Sequence, residues 1–176
     1  ASNSGPMSSQ LLSSRRYRGA CRNASSTSPC VSPTSGVGSN VPPPATVDVI
    51  EYHHAAWDHY FVTAIANEIA KLDAGVFVGW ARTGQKFKAY AANTAGSANV
   101  CRFFSTSFGE RSSHFYTPFV TECNIVKQNV DWMLESESVF AIPLPDLAGN
   151  CATGTTPVYR YYNNGQGAAP NHRYTI

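Results

Sequence analysis

Three histidines sit in copies of one short motif: Asp58-His59-Tyr60-Phe61-Val62-Thr63, Ser113-His114-Phe115-Tyr116-Thr117 and Asn171-His172-Arg173-Tyr174-Thr175. If three such units surround an axis, three imidazoles converging there have the donor set of a three-His zinc site. Aligning the copies on their final Thr argues against that use. It sets Tyr60 opposite His114 and His172, so His59 falls one residue early unless its strand carries a bulge. Packing and hydrogen bonding inside the repeats need no such shift, and they are the expected roles of His59, His114 and His172. No metal and no cofactor are expected.

The carboxylates point the same way. Glycoside hydrolysis needs two acids on facing walls of a cleft. Glu68 and Glu122 each lie five residues after a motif Thr, and equivalent positions face alike, so a structural or capping role is expected of both. Glu135 and Glu137 are unremarkable neighbours. The chain has no Gly-x-Ser-x-Gly elbow and no Gly-rich phosphate loop. No enzyme activity is expected within this segment.

Aromatic residues are the better functional material, since nine Tyr, nine Phe and three Trp make up 12% of the chain. Stacked on sugar rings beside Asn, Asp or Gln, such residues make a glycan- or surface-binding face. The candidates are Tyr52, His53, His54 and Trp57 from the first copy, with Tyr161, Tyr162 and Asn163 from the third. Trp57 has no counterpart elsewhere, which sets it apart from a core residue. Trp80 and Trp132 recur, so both are expected to be buried in equivalent places beside their own helices.

The elements that carry these residues repeat too. Aromatic strand candidates Val49–Tyr52, Val100–Phe104 and Val158–Tyr162 each precede a motif, and the motif threonines are 54 and then 58 residues apart. Counting from Thr, apolar residues fall at +2, +6 and +9: Ile65, Ile69 and Leu72, then Phe119, Cys123 and Val126. That spacing predicts a helix of about three turns in each unit. Thr63 and Thr117 are read as its N-caps, with Pro118 at the first helical position. Beyond the tryptophans lie strand-like runs at Gln85–Tyr90 and Ser138–Ile142, in which Phe87 and Phe140 should occupy matching places. Thr175 closes the third motif, and the third copy stops one residue later.

The predicted architecture is therefore a β-rich α+β fold, with strands plus one short helix per repeat. A pseudo-threefold, trefoil-like arrangement is favoured, with the third repeat incomplete. The repeats run over residues 47–98, 99–156 and 157–176. Residues 1–46 hold twelve Ser and end in Pro42-Pro43-Pro44, which reads as the tail of an upstream region plus a linker.

A net charge of +2 with 14% charged residues gives no reason to expect nucleic acid. No apolar run has the length of a membrane span. The start of the chain lacks a signal-peptide pattern, so it reads as a mature or excised product. None of the five cysteines lies in a C-x-x-C pair, and disulfides in an oxidising compartment suit them better than zinc. Cys101, in the opening strand of the second repeat, and Cys123, on the core face of its helix, are expected to bond. Cys21 and Cys30 are paired on proximity in sequence alone.

These residues resemble an extracellular tandem-repeat domain of unknown function, found near the C-termini of secreted bacterial and fungal proteins, often behind a hydrolase or protease domain. The resemblance spans residues 47–176. It rests on the three Thr-ending motifs, Gly79-Trp80 with Thr83-Gly84-Gln85, Cys101-Arg102-Phe103-Phe104 and Val158-Tyr159-Arg160. It implies a secreted, non-catalytic accessory module attached to an extracellular enzyme, whose partners are an upstream catalytic domain and extracellular glycan or surface material. The alternative is a structural or protein-interaction module packing on a partner domain. The family has no established catalytic residues to transfer. Relatives continue to a further Cys, so the natural chain is expected to run roughly 25–40 residues past Ile176. Cys151, left over by the other pairings, would bond there.

Overall fold

The computed structural model describes residues 17–23, 44–108, 111–163 and 170–176, the first of these segments through its backbone. It is β-rich with two short helices, and its antiparallel sheets are open rather than closed into a barrel. Three hairpins organise it. β2 (Thr46–His54) pairs with β3 (His59–Thr63), β6 (Cys101–Phe108) with β7 (Arg111–Thr117), and β10 (Thr155–Tyr162) with β11 (His172–Thr175). The motif threonines hold one register, with Thr63 opposite Ile50, Thr117 opposite Cys101 and Thr175 opposite Tyr159. Within this register Tyr60, His114 and His172 share a position, and His59 corresponds to Ser113.

After the first two hairpins the chain forms a helix and returns as a strand. α1 (Ala66–Asp73) leads to β4 (Trp80–Tyr90) beside β2, and α2 (Val120–Val126) leads to β8 (Met133–Ser136) beside β6. Two-residue strands β5 (Ala98–Asn99) and β9 (Ala141–Ile142) extend the first sheet to the order β3-β2-β4-β9-β5. The second sheet is ordered β7-β6-β8, and the third is β11-β10-β1, where β1 is Tyr17–Asn23. The first strand of every hairpin is thus flanked on both sides. Although the third copy reads as incomplete, β10 is paired on its other side too, by a segment assigned from sequence to the N-terminal tail.

The helices are nearer two turns than three, and their first turns differ from expectation. Ile65 and Phe119 are the N-cap residues, and neither helix has a side-chain cap. Thr63 and Thr117 lie two residues earlier, at the ends of their strands. Their hydroxyls accept from the backbone N–H groups of Ile65 and Phe119 at 3.0 and 3.1 Å, turning the chain out of the sheet as Ser/Thr turns do. Pro118 therefore precedes the helix. The apolar stripe does face inward: Leu72 and Cys123 are buried, and Ile65, Ile69 and Val126 pack against the core.

The larger core joins Val49, Tyr52, Phe61 and Val62 to Phe87, Val100, Tyr116, Phe140 and Val158. Phe87 pairs with Val49, while Phe140 accepts from the N–H of Val100 at 2.9 Å. These phenylalanines thus hold comparable places, and their rings meet edge to face at 5.9 Å. A second cluster surrounds the disulfide between Cys101 and Cys123, whose Cα atoms are 6.2 Å apart. Cys151, expected to bond with a cysteine past Ile176, is instead disulfide-bonded within these 176 residues. The expected Cys21–Cys30 pairing falls on side chains outside the described residues.

Candidate functional site

Where the first hairpin meets the second, charges are stacked in a fixed order. Thr63 donates to Glu68, which accepts two hydrogen bonds from Arg102 at 2.8 and 2.6 Å. The Arg102 guanidinium also lies 5.1 Å from the centre of the Phe61 ring, and its Nε is 2.8 Å from a Glu135 oxygen. Burial opposes ionisation of Glu68, but the bonds from Arg102 and Thr63 prevail and hold its carboxyl below the usual range.

Beside this cluster a chain of polar groups runs through two buried histidines. His114 Nε2 is 3.4 Å from Glu135, His114 Nδ1 is 3.1 Å from His59 Nε2, and His59 Nδ1 is 3.0 Å from Ser112 Oγ. Burial, with the neighbouring His114, pushes His59 down to about 3, and burial lowers His114 as well. Both imidazoles are therefore neutral, and the ionised Glu135 can only accept. That assigns every proton: His114 Nε2–H points to Glu135, His59 Nε2–H donates to His114 Nδ1, and the Ser112 hydroxyl donates to His59. The nitrogens of His59 and His114 are committed to this chain. His172 lies at a different junction, so the three histidines do not converge. Among the described residues, no cluster of three or more metal-ligating side chains occurs.

These groups form one side of a cleft of about 270 Å³. Its apolar walls are Trp57, Phe61, Phe77, Trp80 and Phe104, and Ser112, Arg102, His114, Glu68 and Glu135 supply its polar lining. Trp57 is 37% exposed and stacks on His54, with ring centres 3.8 Å apart and planes 11° from parallel. His54 is itself buried, edge-on to Trp80 and against Gly79. A Cβ on Gly79 would sit 2.2 Å from His54 Nε2, and its φ of +90° suits glycine. The Gly79-Trp80 pair thus supports Trp57 from below.

The remaining candidates divide. Tyr52 is a core residue, not a surface one; its hydroxyl donates to Asp73 at 2.9 Å. His53 stacks on Tyr60 at 4.5 Å and contacts Asp58. Trp80 and Trp132 correspond as expected, but they are half-buried cleft walls instead of buried core. Trp80 meets Phe61 and Trp132 meets Phe115, each at 5.9 Å, with interplanar angles of 68° and 60°. One edge of each indole packs on a phenylalanine while the rest faces the cleft.

The second hairpin meets the third through the same contacts. Arg160 donates twice to Glu122, both at 2.9 Å, and lies 4.8 Å from the Phe115 ring centre. His172 packs edge-on to Phe115, and Tyr162 stacks on His172 at 4.7 Å. A cleft of about 400 Å³ opens there, over Trp132, Tyr162 and His172. Tyr161 is half-buried beside Tyr159, and Asn163 accepts from the N–H of Asn171 at 2.9 Å. The Tyr116 hydroxyl bonds to both backbone groups of Val62, and the Tyr174 hydroxyl does the same to Tyr116. Where the third hairpin meets the first, the charges reverse. Glu51 stands at the arginine position and accepts from Arg173 at 3.1 Å, and Arg173 lies 4.4 Å from the Tyr60 ring centre.

Sequence reasoning missed Arg102, Arg160, Ser112 and Glu135. The arginines had a signal: each occupies the same strand position, one repeat after a Glu at a fixed distance from Thr. Ser112 and Glu135 had none, since neither recurs.

A family model described as Domain of unknown function (DUF5648) matches residues 34–142, more than half of the chain. The matched span carries β2 to β9 and the first cleft, and ends before β10. No curated protein and no solved structure matches.

Proposed function

The chain belongs to the DUF5648 family, and we propose that it is a secreted, non-catalytic binding module whose first cleft takes a glycan, attached to an extracellular enzyme. The observation that carries this reading is the pairing of aromatic faces and fixed polar groups in one cleft. Trp57 and Trp80 offer surfaces for a pyranose ring, and Arg102, Ser112 and the carboxylates beside them suit its hydroxyls. The Cys101–Cys123 disulfide is compatible with an oxidising, extracellular setting. The test is a titration with neutral hexasaccharides of glucose, mannose and N-acetylglucosamine. At least one should bind, and Trp57→Ala should weaken it about tenfold or more, the scale of one lost stacking contact. If none binds, the reading fails. A protein-docking module would then take its place, favoured by the exposed Val76, Phe77 and Val78 at the rim.

The architecture we propose is a ring of three repeats. Its support is the recurrence of the Glu–Arg, Arg–Phe and Tyr–backbone contacts from one junction to the next. Strand β1 takes the place beside β10 that β4 and β8 take beside β2 and β6, so the N-terminal segment would complete the third repeat. Deleting residues 17–23 should then expose a central strand and lower Tm by at least about 5 °C. An unchanged Tm would show that β1 closes nothing.

A further inference from the structure

We propose that the cleft over Trp132 is a second site for a hydroxyl-bearing glycan, so that the module binds two sugar units. This rests on the glycan-binding reading of the first cleft and extends it.

The two clefts have the same frame. Each has a tryptophan set edge-on to a phenylalanine, a histidine from the next hairpin against that phenylalanine, and an arginine over its face. They differ at the polar contact behind the aromatic wall. In the first junction, His59 and His114 hydrogen-bond to each other. In the second, the corresponding residues are Ser113 and His172, and a serine side chain is too short to make that bond. Both residues are buried, and both Ser113 Oγ and His172 Nδ1 lack a hydrogen-bond partner among the described residues. Leaving such groups unpaired is costly. His172 lines the cleft, and a hydroxyl suits its unpaired nitrogen, donating to Nδ1 of the neutral ring. At the mouth, Tyr162 stacked on His172 and the face of Trp132 provide apolar area for the ring that bears it. Asn129 and Asp131 line the same cleft with further polar groups. Two sites on one module would raise the avidity for a glycan-coated surface without new contacts in either site.

The three tryptophans report on the clefts separately, Trp57 and Trp80 on the first and Trp132 on the second. In the intact chain, the indole N–H resonances are followed while the three hexasaccharides are added, with assignments from single Trp→Phe variants. The Trp132 resonance should shift together with those of Trp57 and Trp80. It should keep shifting in Trp57→Ala, and His172→Phe, which keeps a ring beside Tyr162, should raise the apparent Kd at Trp132 about tenfold. Tyr162→Ala, at a partly exposed position, gives a variant of the second cleft that spares the disulfide cluster; it should weaken the Trp132 response alone. Shifts confined to Trp57 and Trp80 would overturn the second site and leave the first standing. No shift at any tryptophan would remove the glycan reading itself. A Trp132 response that His172→Phe leaves unchanged would overturn the hydroxyl contact assigned here.

Discussion

Arg102→Met is expected to destabilise the protein by about 3 kcal/mol, the lower end of the range for removing one partner from a buried ion pair, because the carboxylates left behind are 27% and 25% exposed. Arg102 is 5% exposed and stands between the carboxylates of Glu68 and Glu135. Methionine would fill much of its volume while leaving two carboxylates facing each other with no cation between them. Charge, not packing, therefore sets the size of the loss. Urea unfolding of the two proteins at pH 7 measures it, with an unchanged m-value as the sign that the fold itself is retained. A second substitution separates the causes. Adding Glu68→Gln to Arg102→Met should recover more than about 1 kcal/mol, because one of the stranded charges is gone. A loss below about 1 kcal/mol for Arg102→Met would show that the ion pair is no more than a surface contact.

The second large effect is with pH. His59 and His172 are both pushed down to about 3, chiefly by burial, with His114 adding to the effect on His59 and Arg160 on His172. In the unfolded chain both titrate near 6.5. Below that value the unfolded state takes up protons that the folded state refuses, so stability is full above about pH 6.5 and declines as pH falls toward about 3. Each histidine contributes a slope of about 1.4 kcal/mol per pH unit inside that window, or about 2.7 kcal/mol for the pair. Glu68, Glu122 and Glu135 are held below their ordinary values by their partners. Their contribution is present above about 4.5 and is lost below it, with the same sign. Acid unfolding should accordingly begin well above the carboxylate range. Unfolding free energies measured between about pH 7 and 5 check this, and His172→Asn should remove its own share of the slope, about 1.4 kcal/mol per pH unit. Stability that stays level across that interval would mean that these imidazoles accept protons in the fold.

Much of this protein is written in short-range pattern. The Thr register, the inward stripe of each helix and the Cys101–Cys123 bond follow from spacings within one unit, where strand pairing and helical periodicity leave little freedom. The matching of Trp80 with Trp132 and of Phe87 with Phe140 follows for the same reason. Their depth does not, because how far an indole is covered depends on what the next unit brings to it. Thr63 and Thr117 show a local limit as well: a hydroxyl at a strand end can serve a turn or a helix cap, and here the turn prevails.

What the tertiary structure decided lies between units. Glu68 meets Arg102 across 34 residues, His114 meets His59 across 55, and Arg173 meets Glu51 across 122. The recurring Glu and Arg positions hint at the first of these pairs, but no periodicity in the chain specifies the other two. Trp57 looked like a free surface residue because it has no counterpart, yet the stack on His54 and the missing side chain at Gly79 are what hold it at the rim of the cleft. Strand β1 shows the same limit most plainly. Its residues lie in a Ser-rich stretch with few apolar side chains, and read locally they are a tail. A strand edge needs only backbone hydrogen bonds to be covered, and backbone groups carry no sequence signature. The sequence alone could therefore specify the hairpins and the helices that follow two of them, but their assembly into one protein was decided by contacts visible only once the chain had folded.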